Sequence, residues 1–127
     1  MLYIKLGLTA LVLFLSTLVG APVYAPINDV SGSVVIEVID EEGIIIIYDE
    51  FNFNEDDNLF YILRDNYNIE YVQYSIGIVL LCIENLCTNF ENNYIAIYIN
   101  GEYSFYGVYH ISLKDAAKYS FIYTNFN

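Results

Sequence analysis

A chain of 127 residues makes one domain with a modest core, not several. Sixteen acidic residues against four basic ones give a formal net charge of −12, so a polyanionic duplex would be repelled and nucleic acid is excluded as a partner. The composition, 57% hydrophobic, leaves that charge as a solvated surface suited to an exported protein.

Residues 1–25 have the pattern of a signal peptide. Lys5 is the only charge before Asp29, an apolar run extends from Leu6 to Val19, and Val23-Tyr24-Ala25 supplies a small-x-small cleavage pattern. Cleavage after Ala25 is expected, leaving a secreted or cell-surface protein. The competing reading is an uncleaved anchor, the only way this chain would meet a membrane. An apolar run of about 14 residues is short for a hydrocarbon layer that needs about 20.

Residues 26–33 read as a polar linker, and the domain proper is placed at 34–127. Val34 to Ile39 alternates as a strand, Asp40-Glu41-Glu42-Gly43 marks a turn, and Ile44 to Tyr48 continues as the second strand of a hairpin. Four consecutive isoleucines suit a strand buried on both faces, with the flanking acids as gatekeepers against aggregation. Asp40, Glu41, Glu42, Asp49 and Glu50 lack the spacing of a calcium loop, so no metal site is expected.

One helix is expected, from Asn58 to Asn66. Asp56-Asp57-Asn58 offers capping side chains at the positive end of the helix dipole, and Leu59, Ile62 and Leu63 form one apolar stripe facing a sheet. Further strands are placed at about 77–83 and 118–124. A two-residue turn at Glu84-Asn85 sets Ile83 opposite Leu86 and Cys82 opposite Cys87. That pair is a disulfide candidate, and two free thiols are the equally weighted alternative, since export favours the bond only in an oxidising compartment.

The strongest local signal is the hairpin in Tyr94–Val108. Asn100-Gly101 favours a type I′ turn, which pairs Ile99 with Glu102, Tyr98 with Tyr103, Ile97 with Ser104 and Ala96 with Phe105. Alternation places Ala96, Tyr98, Tyr103 and Phe105 on one face and Ile95, Ile97 and Ile99 on the other, without saying which is buried. The single histidine, His110, has no nucleophile motif nearby, and no nucleophile elbow, phosphate loop or zinc-helix signature occurs anywhere, so an enzyme is not expected.

The order of these motifs resembles the exported bacterial domains of the DUF4430 family, which are similar to the C-terminal domain of transcobalamin and intrinsic factor. The motifs are NLFYILRDNYNIEY with Leu63-Arg64, the segment from Gly77 to Asn85, Tyr94 to Gly101, Gly107-Val108 and Leu113-Lys114-Asp115. The resemblance implies an α+β fold, β-grasp-like, with a mixed sheet of about five strands packed on one helix. It also implies a non-catalytic module that requires no cofactor and binds cobalamin or a related corrinoid. Aromatic residues of the hairpin and its loops would contact the ligand: Tyr94, Tyr98, Tyr103, Tyr106 and Tyr109, with His110, beside the Asn100-Gly101 turn. The chain departs from the family pattern at Ile95, where a Trp is usual, at Asn85, where a Gly is usual, and at Ala116-Ala117 in place of Gly-Asp. The alternative is a protein–protein interaction or adhesion module that has lost small-ligand binding and uses its sheet edge or tyrosine-rich face. Tyrosine suits either role, and core packing accounts for most of the fourteen.

Overall fold

The computed structural model describes residues 27–126. The signal-peptide reading for 1–25 lies outside them. The elements run β1 (Ser31–Ile39), β2 (Ile45–Asn54), α1 (Leu59–Asn66), β3 (Ile69–Tyr74), β4 (Gly77–Ile83), β5 (Leu86–Cys87), β6 (Asn93–Ile99), β7 (Glu102–Tyr103), a 3₁₀ turn (Val108–His110) and β8 (Ala117–Asn125). The fold is α+β, with strands in two sheets and one helix. A five-stranded mixed sheet has the order β2-β1-β8-β6-β7, and a three-stranded sheet has the order β3-β4-β5. In the larger sheet β1 and β8, the first and last strands, lie side by side in parallel, from Val34–Ala117 to Ile39–Ile122. Every other pairing is antiparallel.

Side-chain alternation explains where the core sits. Val34, Ile36 and Val38 of β1, Tyr119 and Phe121 of β8 and Ile97 of β6 share one face, and all are buried. They join Leu59, Phe60, Ile62 and Leu63 of the helix and Ile78, Leu80 and Ile83 of β4 in a single hydrophobic cluster. The helical stripe read from sequence therefore enters the core that the larger sheet lines. The second sheet closes the same core from the other side, and β3 was not anticipated because the apolar residues of IEYVQY do not alternate with polar ones and most of the strand is exposed.

The start of the helix is fixed by Asn58. Its extended backbone caps the first turn, and Oδ1 accepts a hydrogen bond from Phe60 N at 2.8 Å. The amide Nδ2 donates to the carbonyl oxygen of Tyr109 at 3.1 Å, tying the helix to the 3₁₀ turn.

Two expectations are corrected. The isoleucine run is not buried on both faces: Ile44, Ile45 and Ile46 are 55%, 52% and 45% exposed, and only Ile47 packs on the core. Among the described residues strand β2 is the edge of its sheet, paired with β1 alone, with no second neighbour to cover it. Of the expected linker 26–33, the described residues 27–33 are not free. Within them Asp29 N donates to Leu113 O, Asn28 Oδ1 accepts from Leu113 N, and Ser31 to Ser33 already belong to β1. In the β4–β5 turn the left-handed residue is Glu84 (φ 54°).

The opposite face of the larger sheet holds a buried acid. Glu37 accepts from Ser120 Oγ at 2.7 Å across the parallel pair, with Lys118 Nζ 3.7 Å away. A buried carboxylate requires such partners, because its desolvation is otherwise uncompensated.

Candidate functional site

The β6–β7 hairpin turns on two residues of positive φ, Asn100 at 51° and Gly101 at 86°, as a type I′ turn requires. Asn100 also fixes the hairpin to β8, its amide donating to Lys118 O and its Oδ1 accepting from Lys118 N, both at 2.8 Å. Tyr98 pairs with Tyr103 and Ile99 with Glu102. Ser104 N still reaches Ile97 O, but the ladder ends there. Instead of pairing with Ala96, Phe105 leaves the sheet and is 90% exposed, followed by Tyr106 at 69%. Ser104 Oγ accepts from Tyr106 N at 3.1 Å, which fixes the turn that carries both rings outward.

Alternation then separates the faces. Ile95, Ile97 and Ile99 pack toward the core, and Ile95 also lines the smaller of the two depressions beside the hairpin. On the outer face Tyr98 meets Tyr103 edge-on with ring centroids 5.6 Å apart, and Tyr103 meets Phe105 at 5.0 Å. Tyr94 stacks on Phe126 at 4.8 Å, and burial, with the Tyr103 hydroxyl beside it, pushes its phenol above the ordinary value. The segment Tyr103–Tyr106 forms a ridge between two depressions of about 170 and 490 Å³. Tyr94, Phe90 and Val108 line the smaller one, and Ile99, Asn100 and Glu102 the larger.

Tyr109 and His110 do not join this ridge. Together with Phe60, Tyr61, Arg64, Tyr71 and Tyr74 they line a separate groove of about 420 Å³ between α1 and the β3–β4 hairpin, which shares Ile78 with the smaller depression. A hydrogen bond with Tyr61 raises the phenol of Tyr109, and the two rings lie edge to face at 6.1 Å. Phe60 and Tyr71 meet edge-on at 4.8 Å, and the Arg64 guanidinium lies 4.6 Å from the Tyr61 ring centre. Against the floor of the groove, the backbone of Gly77 (φ 153°) lies so close to the His110 ring that a Cβ there would sit 3.2 Å from Cε1. The Tyr61–Arg64 pair has the i, i+3 spacing of helix neighbours, a signal that reading the helix only for its buried stripe passes over. Phe105 and Phe126 were also missed as members of the aromatic surface.

Cys82 and Cys87 face each other in the β4–β5 register and are joined by a disulfide. Among the described residues no group of three or more His, Cys, Asp or Glu side chains is placed to hold a metal ion. No helix among them is long and apolar enough to cross a membrane.

No protein-family model matches the chain, and no curated protein matches it. Solved structures share its fold. One is a suspected metal-binding protein from Ruminococcus gnavus ATCC 29149, 13% identical, with a TM-score of 0.62 over 76% of this chain and 99% of that one. Another is haptocorrin in complex with Cbi, 14% identical, with a TM-score of 0.64 over 76% of this chain but 26% of haptocorrin. The chain thus corresponds to about a quarter of haptocorrin, and at these identities the likeness concerns the fold.

Proposed function

We propose that this chain is a non-catalytic, exported binding module of the DUF4430 type, β-grasp-like in fold, that holds a flat ligand of the cobalamin or corrinoid class against the Tyr103–Tyr106 ridge. The carrying observation is the exposure of Phe105 and Tyr106 on a turn pinned by Ser104, beside Tyr103. Large apolar rings held in solvent on fixed backbone are costly unless something covers them, and rings held rigidly lose little entropy when it does. The adjoining depressions would let a broad ligand lie over the ridge, with the half-buried Tyr94 and Tyr98 as its support. The likeness of fold to haptocorrin in complex with Cbi supports the ligand class. Titration of the purified protein with cyanocobalamin and with cobinamide, followed by calorimetry and absorbance, tests the reading. Heat and a spectral change are expected, and neither at high micromolar ligand would refute it.

A second reading rests on a separate observation. The edge strand β2, with Ile44 just before it, presents Ile44, Ile45 and Ile46 to solvent, a surface that suits strand addition by a protein partner. In that case the domain is an interaction or adhesion module, and pull-down from envelope or host extracts would depend on these isoleucines and not on the ridge.

A further inference from the structure

The groove between α1 and the β3–β4 hairpin lies apart from the ridge, and its chemistry differs. Its walls are Tyr61, Tyr71, Tyr74 and Tyr109, and its one charged side chain is Arg64, the only arginine in the chain. Arg64 uses Nε for Asp65 at 3.1 Å, so the two terminal guanidinium nitrogens have no hydrogen-bond partner among the described residues. They form a planar pair of donors stacked over Tyr61, an arrangement that matches the two oxygens of a carboxylate. The other two cations among the described residues are engaged elsewhere, Lys114 with Asp29 and Lys118 with Glu37. His110 also lines the groove, and its buried Nε2 has no hydrogen-bond partner among the described residues.

We propose that this groove binds a small planar carboxylate, with the acid on the Arg64 guanidinium and the flat body between the tyrosine rings. Its volume of about 420 Å³ lies in the range of small-molecule sites and accommodates a one- or two-ring acid. With Asp65 already on Nε and a net charge of −12 on the chain, the remaining pair of guanidinium donors suits a monoanion and disfavours a polyanion. The site is independent of the corrinoid reading.

Because the chain has no tryptophan, the fluorescence of 2-naphthoate is a clean probe of the purified protein. The wild type should bind 2-naphthoate at least about tenfold more tightly than the neutral 2-naphthalenemethanol, a ratio within reach of a bidentate charged hydrogen bond. Arg64→Gln should remove that preference and leave the neutral compound's affinity unchanged, and Arg64→Lys should recover only part of it. The Arg64 side chain is 49% exposed, so the melting temperature should not move. Tyr74→Ala, at a position 57% exposed, should weaken both compounds. Excess cobinamide should displace neither. Equal affinity for the acid and the alcohol, or 2-naphthoate binding that survives Arg64→Gln, would overturn the assignment. Displacement by cobinamide would overturn the separation of the two sites, whereas a failure of cobinamide to bind leaves this test untouched.

Discussion

Asn58 joins the helix to the 3₁₀ turn through a single side chain, its Oδ1 accepting from Phe60 N while its Nδ2 donates to the carbonyl oxygen of Tyr109. One buried residue thereby sets both the first turn of α1 and the position of Tyr109 in the groove wall. Asn58→Ala should cost about 1–3 kcal/mol, since it removes a cap and leaves a buried carbonyl unpaired. Asn58→Asp keeps the cap acceptor but turns a carboxylate oxygen toward the Tyr109 carbonyl. Chemical denaturation should therefore find the Asp variant destabilised despite its good capping chemistry. Wild-type stability in Asn58→Asp would show that the bond to Tyr109 contributes nothing.

The sequence made some of this legible and concealed the rest for physical reasons. Helix α1 and its buried stripe followed from Asn58 and from the spacing of Leu59, Ile62 and Leu63. The register at Tyr98–Tyr103 followed from Asn100-Gly101, because local turn chemistry determines pairing. Strand β3 was not legible: IEYVQY lacks a period-two apolar pattern and is held by its partner β4, a tertiary effect. Four isoleucines looked like a central strand because a run of apolar residues does not reveal whether its strand has one neighbour or two. The candidate ligand residues formed one group in sequence, yet the turn after Gly107 directs Tyr109 and His110 into a different groove from Tyr103 and Tyr106. Proximity along the chain carried no information about that division.

Tyr119 is fully buried, and its hydroxyl both donates to Ser112 O at 2.8 Å and accepts from Lys114 N at 3.0 Å. Tyr119→Phe should lower stability by about 1–2 kcal/mol, the worth of such bonds when their backbone partners are left without a mate. Burial chiefly raises the phenol of Tyr119, the bond from Lys114 N opposing and the charge of Asp29 adding to the rise. The unfolded chain then loses its proton at the ordinary value of about 10 while the folded chain keeps it, so stability is full below that pH and falls above it. Denaturation curves at neutral and alkaline pH should show a smaller alkaline loss in Tyr119→Phe than in the wild type, and an equal loss would contradict this.

Ala116 occupies the left-handed region at φ 66°, just before β8, where the resembled family has Gly. Its side chain is exposed, so glycine sacrifices no packing. An alanine in that conformation costs about 1–2 kcal/mol, more than the extra freedom that glycine gives the unfolded chain. Ala116→Gly should raise the melting temperature, and a lower one would mean that the turn is not strained.

The Cys82–Cys87 bond closes a short loop at the β4–β5 turn. Mass spectrometry of protein recovered from an oxidising compartment should find the two cysteines joined within one chain, and reduction should cost about 2 kcal/mol, as expected for a loop this small. Two freely alkylatable thiols in such material would refute the pairing.

The proposal that Tyr103–Tyr106 is a ligand ridge separates from a purely structural role in one comparison. Phe105→Ser with Tyr106→Ser removes two rings that contribute little to the core, because both stand in solvent. Calorimetric titration of cobinamide into the wild type and the double variant, with the melting temperature of each measured alongside, reads binding and folding together. The prediction is a loss of at least about tenfold in affinity, as for the removal of an aromatic hot spot, with the melting temperature unchanged. Cobinamide binding that persists at wild-type strength in the double variant would contradict it.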